Sequence, residues 1–313
     1  MKPVPDHFLL ANRIVRVEWP DDGLQAVLGA ALAHRKVPAA SAALQITAAT
    51  RADWPAATEA GRVELGGQVA ITVLDPARRV ALELNEAGTA AEFSCFNPAG
   101  LPAYERAAPF RLLLQRWLRA QAVHMLHAGA VGLPAKGAVL LVARSGGGKS
   151  NTVLSCLGSP LRLLGEDFVA VDDSDAPRIW SLYSAAKLHA KDLPRFPALA
   201  ADVAGIRDEL DGKSVLQLGA RHGDRFADGL PLRAILVLDV TGRAESRVAP
   251  ALAGDAAKAM LASILMALPE SRRPLFEFVT QLVRRVPVQR LEVGTDPRAI
   301  PGVILKLLED FRA

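Results

Sequence analysis

The residues most able to do chemistry lie between Ala138 and Asp167. An apolar run over 138–142 enters the loop Ala143-Arg144-Ser145-Gly146-Gly147-Gly148-Lys149-Ser150, and a short helical stretch comes next over 152–157. Successive glycines let backbone amides converge on phosphate oxygens, and a helix start adds partial positive charge. Against the pattern G-x-x-x-x-G-K-[ST], Gly148, Lys149 and Ser150 hold their places, and Ala143 replaces the first glycine. Alanine is tolerated there as long as φ stays negative. In such a cradle the lysine reaches the β- and γ-phosphates and the hydroxyl ligates magnesium.

Glu166-Asp167 closes a hydrophobic stretch over 161–164, and Asp167 stands 18 residues past Lys149. An acidic pair at a strand end beside a phosphate loop can hold magnesium and accept a proton from an attacking hydroxyl. The plainer alternative is a solvated turn. His127 likewise admits two readings, a site residue or a hydrogen-bonded core histidine. His124 lies three residues before it, but no cysteine or carboxylate sits at a spacing that completes a zinc site. Lys187, Lys213, Arg221, Arg225 and Arg233 are each candidates to stabilise transferring charge as an arginine finger does, or else surface residues. Asp172, Asp173 and Asp175 read as a solvated turn. The two cysteines, Cys95 and Cys156, have no partner base in view and cannot build a disulfide framework.

Taken together, His127-Ala128-Gly129, the loop from Ala143 to Ser150, and Glu166-Asp167 resemble the core of the HPr kinase/phosphorylase superfamily. Those bacterial kinases place a histidine one strand before a G-x-S-G-x-G-K-S loop and an acidic pair at this distance past the lysine. The resemblance covers residues 127–167 well and the remaining C-terminal region only loosely. It implies ATP and Mg²⁺ as cofactors. Ala143, Arg144, Ser145, Gly146, Gly147, Gly148, Lys149, Ser150 and Asn151 would then surround the nucleotide, and Ser150, Glu166 and Asp167 the metal. Asp167 would be the base, Lys149 would bind the phosphates, and His127 would sit beside the transferring group.

This sequence departs from the pattern at Ala143, at Arg144 where the namesake enzymes carry an acid, at Asn151 for a glutamate, and at Glu166 for an aspartate. The resemblance thus implies a divergent member, similar to the stand-alone serine kinases found beside peptide-modifying gene clusters. The implied acceptor is a serine of a protein or peptide, such as a peptide precursor. A free amino acid or sugar as acceptor, and a non-catalytic ATP-binding adaptor, remain open, as does a homo-oligomer.

These residues need a scaffold. A length of 313 residues suggests about two domains, and 50% hydrophobic residues exclude a disordered chain. A net charge of +4 is too thin to argue for nucleic acid or a membrane surface. The N-terminus is too polar for a signal peptide, and no apolar run reaches membrane-spanning length. The expectation is a soluble cytoplasmic protein.

Residues 1–103 predict a small α+β domain. It has an extended stretch over 8–17, a helix over 24–34, and strands over 42–47, 63–65, 69–74 and 80–84. Pro98, Gly100 and Pro102 mark a boundary. Residues 104–313 predict an α/β P-loop kinase core with a mixed, partly parallel sheet and flanking helices. Its helices fall over 104–124, 255–268, 272–285 and 299–311, and its strands over 125–133, 137–142, 162–171, 233–239 and 288–292.

Overall fold

Buried and half-buried side chains alternate along Asp6–Leu10 (β1) and Arg13–Glu18 (β2), as strands with one covered face require. Between them Ala11 and Asn12 both adopt positive φ, 47° and 61°, so the stretch expected to run straight over 8–17 folds into a tight hairpin. The computed structural model describes residues 3–51, 73–75, 80–144, 146–208, 211–267 and 272–311. The strand expected over 63–65, most of that over 69–74, and Ser145 of the loop lie outside the described residues.

Lys36–Val37 (β3), Leu44–Thr50 (β4), Val73–Asp75 (β5), Val80–Leu84 (β6) and Ala90–Cys95 (β7) complete a first sheet, ordered β3-β1-β2-β4-β7-β6-β5. It is parallel at β2–β4 and β4–β7 and antiparallel elsewhere. The helix expected over 24–34 splits into Asp22–Gly29 (α1) and a tighter 3-10 turn, Ala30–Arg35. Asp21 caps α1, its carboxylate accepting from the Leu24 amide at 2.8 Å.

The amphipathic stretch over 104–124 is also divided, into Ala103–Ala107 (α2) and Arg111–Arg119 (α3). Pro109 disfavours helical backbone at Ala108, and Phe110 adopts a φ of 58°. In α3, Leu113, Leu114, Trp117 and Leu118 are buried, each worth about 1.5–3 kcal/mol of apolar transfer. The chain then turns at Ala122, and His124 sits on a strand rather than a helix.

That strand, Val123–Leu126 (β8), opens a second sheet containing Gly129–Leu133 (β9), Gly137–Val142 (β10), Arg162–Gly165 (β11), Val169–Asp172 (β12) and Arg178–Ser181 (β13). Ala185–Leu188 (β14), Val203–Arg207 (β15) and Ser214–Gln217 (β16) form a separate three-stranded sheet in the order β14-β16-β15. Gly229–Val240 (β17), Arg247–Pro250 (β18) and Val288–Val293 (β19) return to the second sheet. Among the described residues its order is β11-β9-β10-β17-β13-β12-β8, with β19 beside β17 and β18 beside β19. β17 runs parallel to both β10 and β19. Lys149–Ser155 (α4), Gly219–His222 (α5), Ala253–Ala267 (α6), Arg272–Arg285 (α7) and Ile300–Asp310 (α8) complete the helices.

The strand expected over 162–171 is two strands with different partners, β11 against β9 and β12 against β13 and β8. A Cβ on Gly165 would fall 2.7 Å from the Phe168 carbonyl oxygen, so only glycine allows the turn that separates them. Glu166 and Asp167 occupy that turn.

The two main sheets divide where the proline-rich break stands, yet one apolar cluster serves both. It runs from Phe8, Leu28 and Phe93 through Phe110 and Trp117 to Val169, Ile235 and Phe278. Polar links cross the same seam: Arg35 pairs with Asp228, and the Ser184 hydroxyl donates to Ala31 O at 3.1 Å. No described helix is long and apolar enough to cross a membrane.

Candidate functional site

The fully buried strand β10 delivers the glycine-rich loop to the sheet end, between antiparallel β9 and parallel β17. Ala143 is buried and Arg144 exposed, and the Gly147 amide donates to Arg144 O at 2.9 Å. Gly146 and Gly148 take positive φ of 77° and 84°. Gly147 is held by space instead, since a Cβ there would lie 2.8 Å from that of Ala143. Gly148 in this conformation starts α4 at Lys149, three residues earlier than the apolar pattern predicts.

α4 packs against β9 at Gly129, where a Cβ would fall 2.6 Å from Val153 Cγ2 and 3.3 Å from Lys149 Cγ. The glycine of His127-Ala128-Gly129 thereby lets the lysine lie down toward the acidic turn. Lys149 Nζ donates to the Glu166 carbonyl at 2.7 Å and stands 3.4 Å from Asp167 Oδ1. It is 3.6 Å from Glu166 Oε1.

The two acids share Lys149 and Lys187 and differ in their other partners. Ser150 Oγ donates to Glu166 Oε1, and Glu166 Oε2 accepts from the Lys187 backbone amide at 3.0 Å. Asp167 Oδ1 lies 2.7 Å from His127 Nε2, and Asp167 Oδ2 lies 3.0 Å from Lys187 Nζ. Lys187 Nζ is also 3.5 Å from Asp208 Oδ2. The His127 ring stacks on Phe168 with centroids 5.1 Å apart, and the Arg111 guanidinium lies 5.7 Å over the centroid of the same Phe168 ring.

Burial by itself would raise the Asp167 pKa. The charges of His127, Lys187 and Lys149, with the His127 hydrogen bond, outweigh it and hold the carboxyl well below its usual range. Ionised Asp167 accepts, so His127 Nε2 carries the shared proton. Lys187 behaves conversely: burial opposes its charge, but Asp167, Glu166 and Asp208 push its pKa above the ordinary lysine value.

Lys149, Ser150, Glu166, Asp167 and His127, scattered over 40 residues of chain, therefore meet at one place, and so does Lys187. The other cationic candidates are engaged elsewhere. Arg225 caps the carbonyls of Leu157, Ser159 and Leu161, Arg233 donates to Lys136 O, Lys213 pairs with Asp211, and Arg221 faces Asp202. His124 leaves the neighbourhood, stacking on Phe278 with centroids 3.9 Å apart, and burial lowers its pKa to about 4. Burial raises the Cys95 and Cys156 thiols to about 11 and about 12, which suits inert core residues. Asp172 is tied to the Trp180 indole and Asp173 to Arg285, as part of the β12–β13 turn.

Asp208 and Phe168 are site residues that spacing does not single out. Phe168 stands directly after the acids, and an aromatic beside a histidine-facing acid is the signal that could have found it. Asp208 carries none, because it reaches the site from the end of β15.

No family model matches this chain, and no curated protein matches it.

Proposed function

We propose that this protein is an ATP- and magnesium-dependent kinase with a P-loop core, transferring the γ-phosphoryl group to a hydroxyl, foremost a serine of a protein or peptide. The observation that carries this reading is the Asp167 carboxylate, met by His127, Lys149 and Lys187 beside a glycine-rich loop. Two ammonium groups beside one ionised acid offset the repulsion when a polyanion is brought against a proton acceptor.

The residues present fit a nucleotide and a metal. Gly146 and Gly148 need a backbone that side chains rarely adopt, and the three successive glycines put no side chain between this backbone and phosphate oxygens. Asn151 Oδ1 and Thr152 Oγ1, directly after the loop, are buried without a hydrogen-bond partner. Ser150 with Glu166 would hold magnesium, which supplies neutralising charge to the phosphates. Lys149 would turn from the Glu166 carbonyl to the phosphates.

Asp167 would accept the proton of the acceptor hydroxyl, whose oxygen bonds to the γ-phosphorus. The bond from that phosphorus to the β–γ bridging oxygen breaks, and its electron pair leaves with ADP. His127, sharing a proton with Asp167, keeps the carboxylate oriented.

A second reading, an ATP-sensing adaptor, follows from the departures from the family pattern at Ala143 and Asn151. Purified protein supplied with γ-labelled ATP, magnesium and separate panels of serine peptides, free amino acids and sugars decides among these. Label on a peptide supports the first reading, and label on a small molecule moves the acceptor class. ATP binding with no transfer to any hydroxyl sinks the kinase reading in favour of the adaptor.

A further inference from the structure

Lys187 touches both acids of the turn through different groups. Its backbone amide donates to Glu166 Oε2 at 3.0 Å, and its ammonium lies 3.0 Å from Asp167 Oδ2. Antiparallel pairing of β14 with β16, Lys187 opposite Val215, sets the height of that amide. Asp208 holds the ammonium from the far side at 3.5 Å, and the three side chains are largely shielded from solvent.

The chemistry of this arrangement goes beyond charge balance. Lys149 meets Asp167 on Oδ1 and Lys187 meets it on Oδ2, so the two ammonium groups flank a single carboxylate. If phosphates draw Lys149 away, Asp167 loses one of its two lysines at the moment a polyanion approaches. Lys187, anchored by Asp208, stays. It then offsets the repulsion between carboxylate and phosphoryl group and fixes which oxygen of Asp167 faces the acceptor. A buried lysine serving only the fold has no need to hold the acid that also faces His127 and the lysine of the glycine-rich loop.

We propose that Lys187 is the positioning residue for transfer, its ammonium holding Asp167 in place when Lys149 leaves it for the phosphates, while the backbone amide at the same position fixes Glu166. The proposal rests on the kinase reading above. It predicts that loss of Lys187 slows turnover without a matching loss of nucleotide affinity.

The test uses the full chain, γ-labelled ATP with magnesium as the probe, and label transferred to water or serine peptides as turnover. Lys187→Met should bind ATP within about threefold of wild type by calorimetry, yet turn over about 100-fold more slowly. Lys187→Arg, keeping a cation of similar reach, should recover most of that loss. Because Lys187→Met takes a cation away from two buried carboxylates at once, Lys187→Met combined with Asp208→Asn gives a variant less prone to unfold, and it should be equally slow.

Wild-type kcat in the folded double variant overturns the proposal, as does a loss confined to KM for ATP. Wild-type protein that binds no ATP is a different result, seen before any variant is compared. It removes the kinase reading and takes this proposal with it.

Discussion

His127 Nε2 stands 2.7 Å from Asp167 Oδ1 across 40 residues of chain, joining the end of one strand to the turn between two others. The contact exists because Gly165 closes the turn and Phe168 stacks beneath the imidazole. It couples a group that can carry a proton to an ionised carboxylate that accepts its hydrogen bond.

Replacing Asp167 therefore separates chemistry from binding. Asp167→Asn keeps the shape and removes the basic oxygen. Phosphoryl transfer is expected to fall by roughly two to four orders of magnitude. ATP affinity should stay within several-fold, because the loop amides and Lys149 remain. Lys149→Ala should do the reverse and weaken ATP binding about tenfold or more. Calorimetry and a transfer assay on both variants check the pair. Transfer by Asp167→Asn near the wild-type rate removes Asp167 as the base.

Lys149, Ser150, Glu166 and Asp167 are legible in the sequence because local spacing specifies a glycine-rich loop between strand and helix and an acidic turn after the next strand. The interruption of the helix over 104–124 is also written locally, in Pro109, but the strong 3.6-residue period of the leucines masks it. Lys187 and Asp208 stand differently. What brings them to Asp167 is the placement of a separate three-stranded sheet against α4, a tertiary fact with no period or motif in the chain. Likewise the apolar seam shared by the two main sheets is invisible to composition, which marks only the break between them.

The glycines of the loop make separable predictions. Gly146 has open space where a Cβ would project, but a φ of 77°. Gly146→Ala should cost about 1 kcal/mol of stability and keep the rise in melting temperature on adding ATP. Gly147→Ala would set a methyl 2.8 Å from Ala143 Cβ and 2.9 Å from the Arg144 carbonyl oxygen, so the loop must rearrange. That variant should lose the ATP-dependent shift. An equal shift in both variants contradicts the cradle.

The shared core bears on how the halves separate. Phe96, Asn97, Ala99 and Gly100 are exposed or half-exposed, which makes the proline-rich break open to a protease. The two products should nevertheless stay together, because Phe110, Trp117 and Phe8 belong to one cluster and Arg35 pairs with Asp228 across the seam. Size-exclusion chromatography of nicked protein should give one peak that divides only in denaturant. Two peaks in native buffer would show that the halves stand independently.

His34 gives the seam a pH dependence whose sign can be worked out. Its Nε2 lies 2.8 Å from Ser181 Oγ, its ring packs against Phe226 at 4.7 Å, and its Nδ1 is buried without a partner. Burial, with Arg35 adding repulsion, lowers its pKa to about 3. Above about pH 6.5 the ring is neutral in both folded and unfolded chains and adds no slope. As pH falls below that value, the unfolded chain binds a proton that the folded one refuses until about pH 3. Stability should drop by up to about 1.4 kcal/mol per pH unit over that window from this group. His34→Gln removes the proton and leaves a polar group facing Ser181. The variant should be less stable than wild type at about pH 7.5, having lost the ring contact, and the gap should close by about 2 kcal/mol between about pH 6 and about pH 4.5. Urea unfolding of both proteins across that range measures it. Parallel stability curves would mean that His34 titrates alike in the folded and unfolded chains, and that the seam is wetter than its packing indicates.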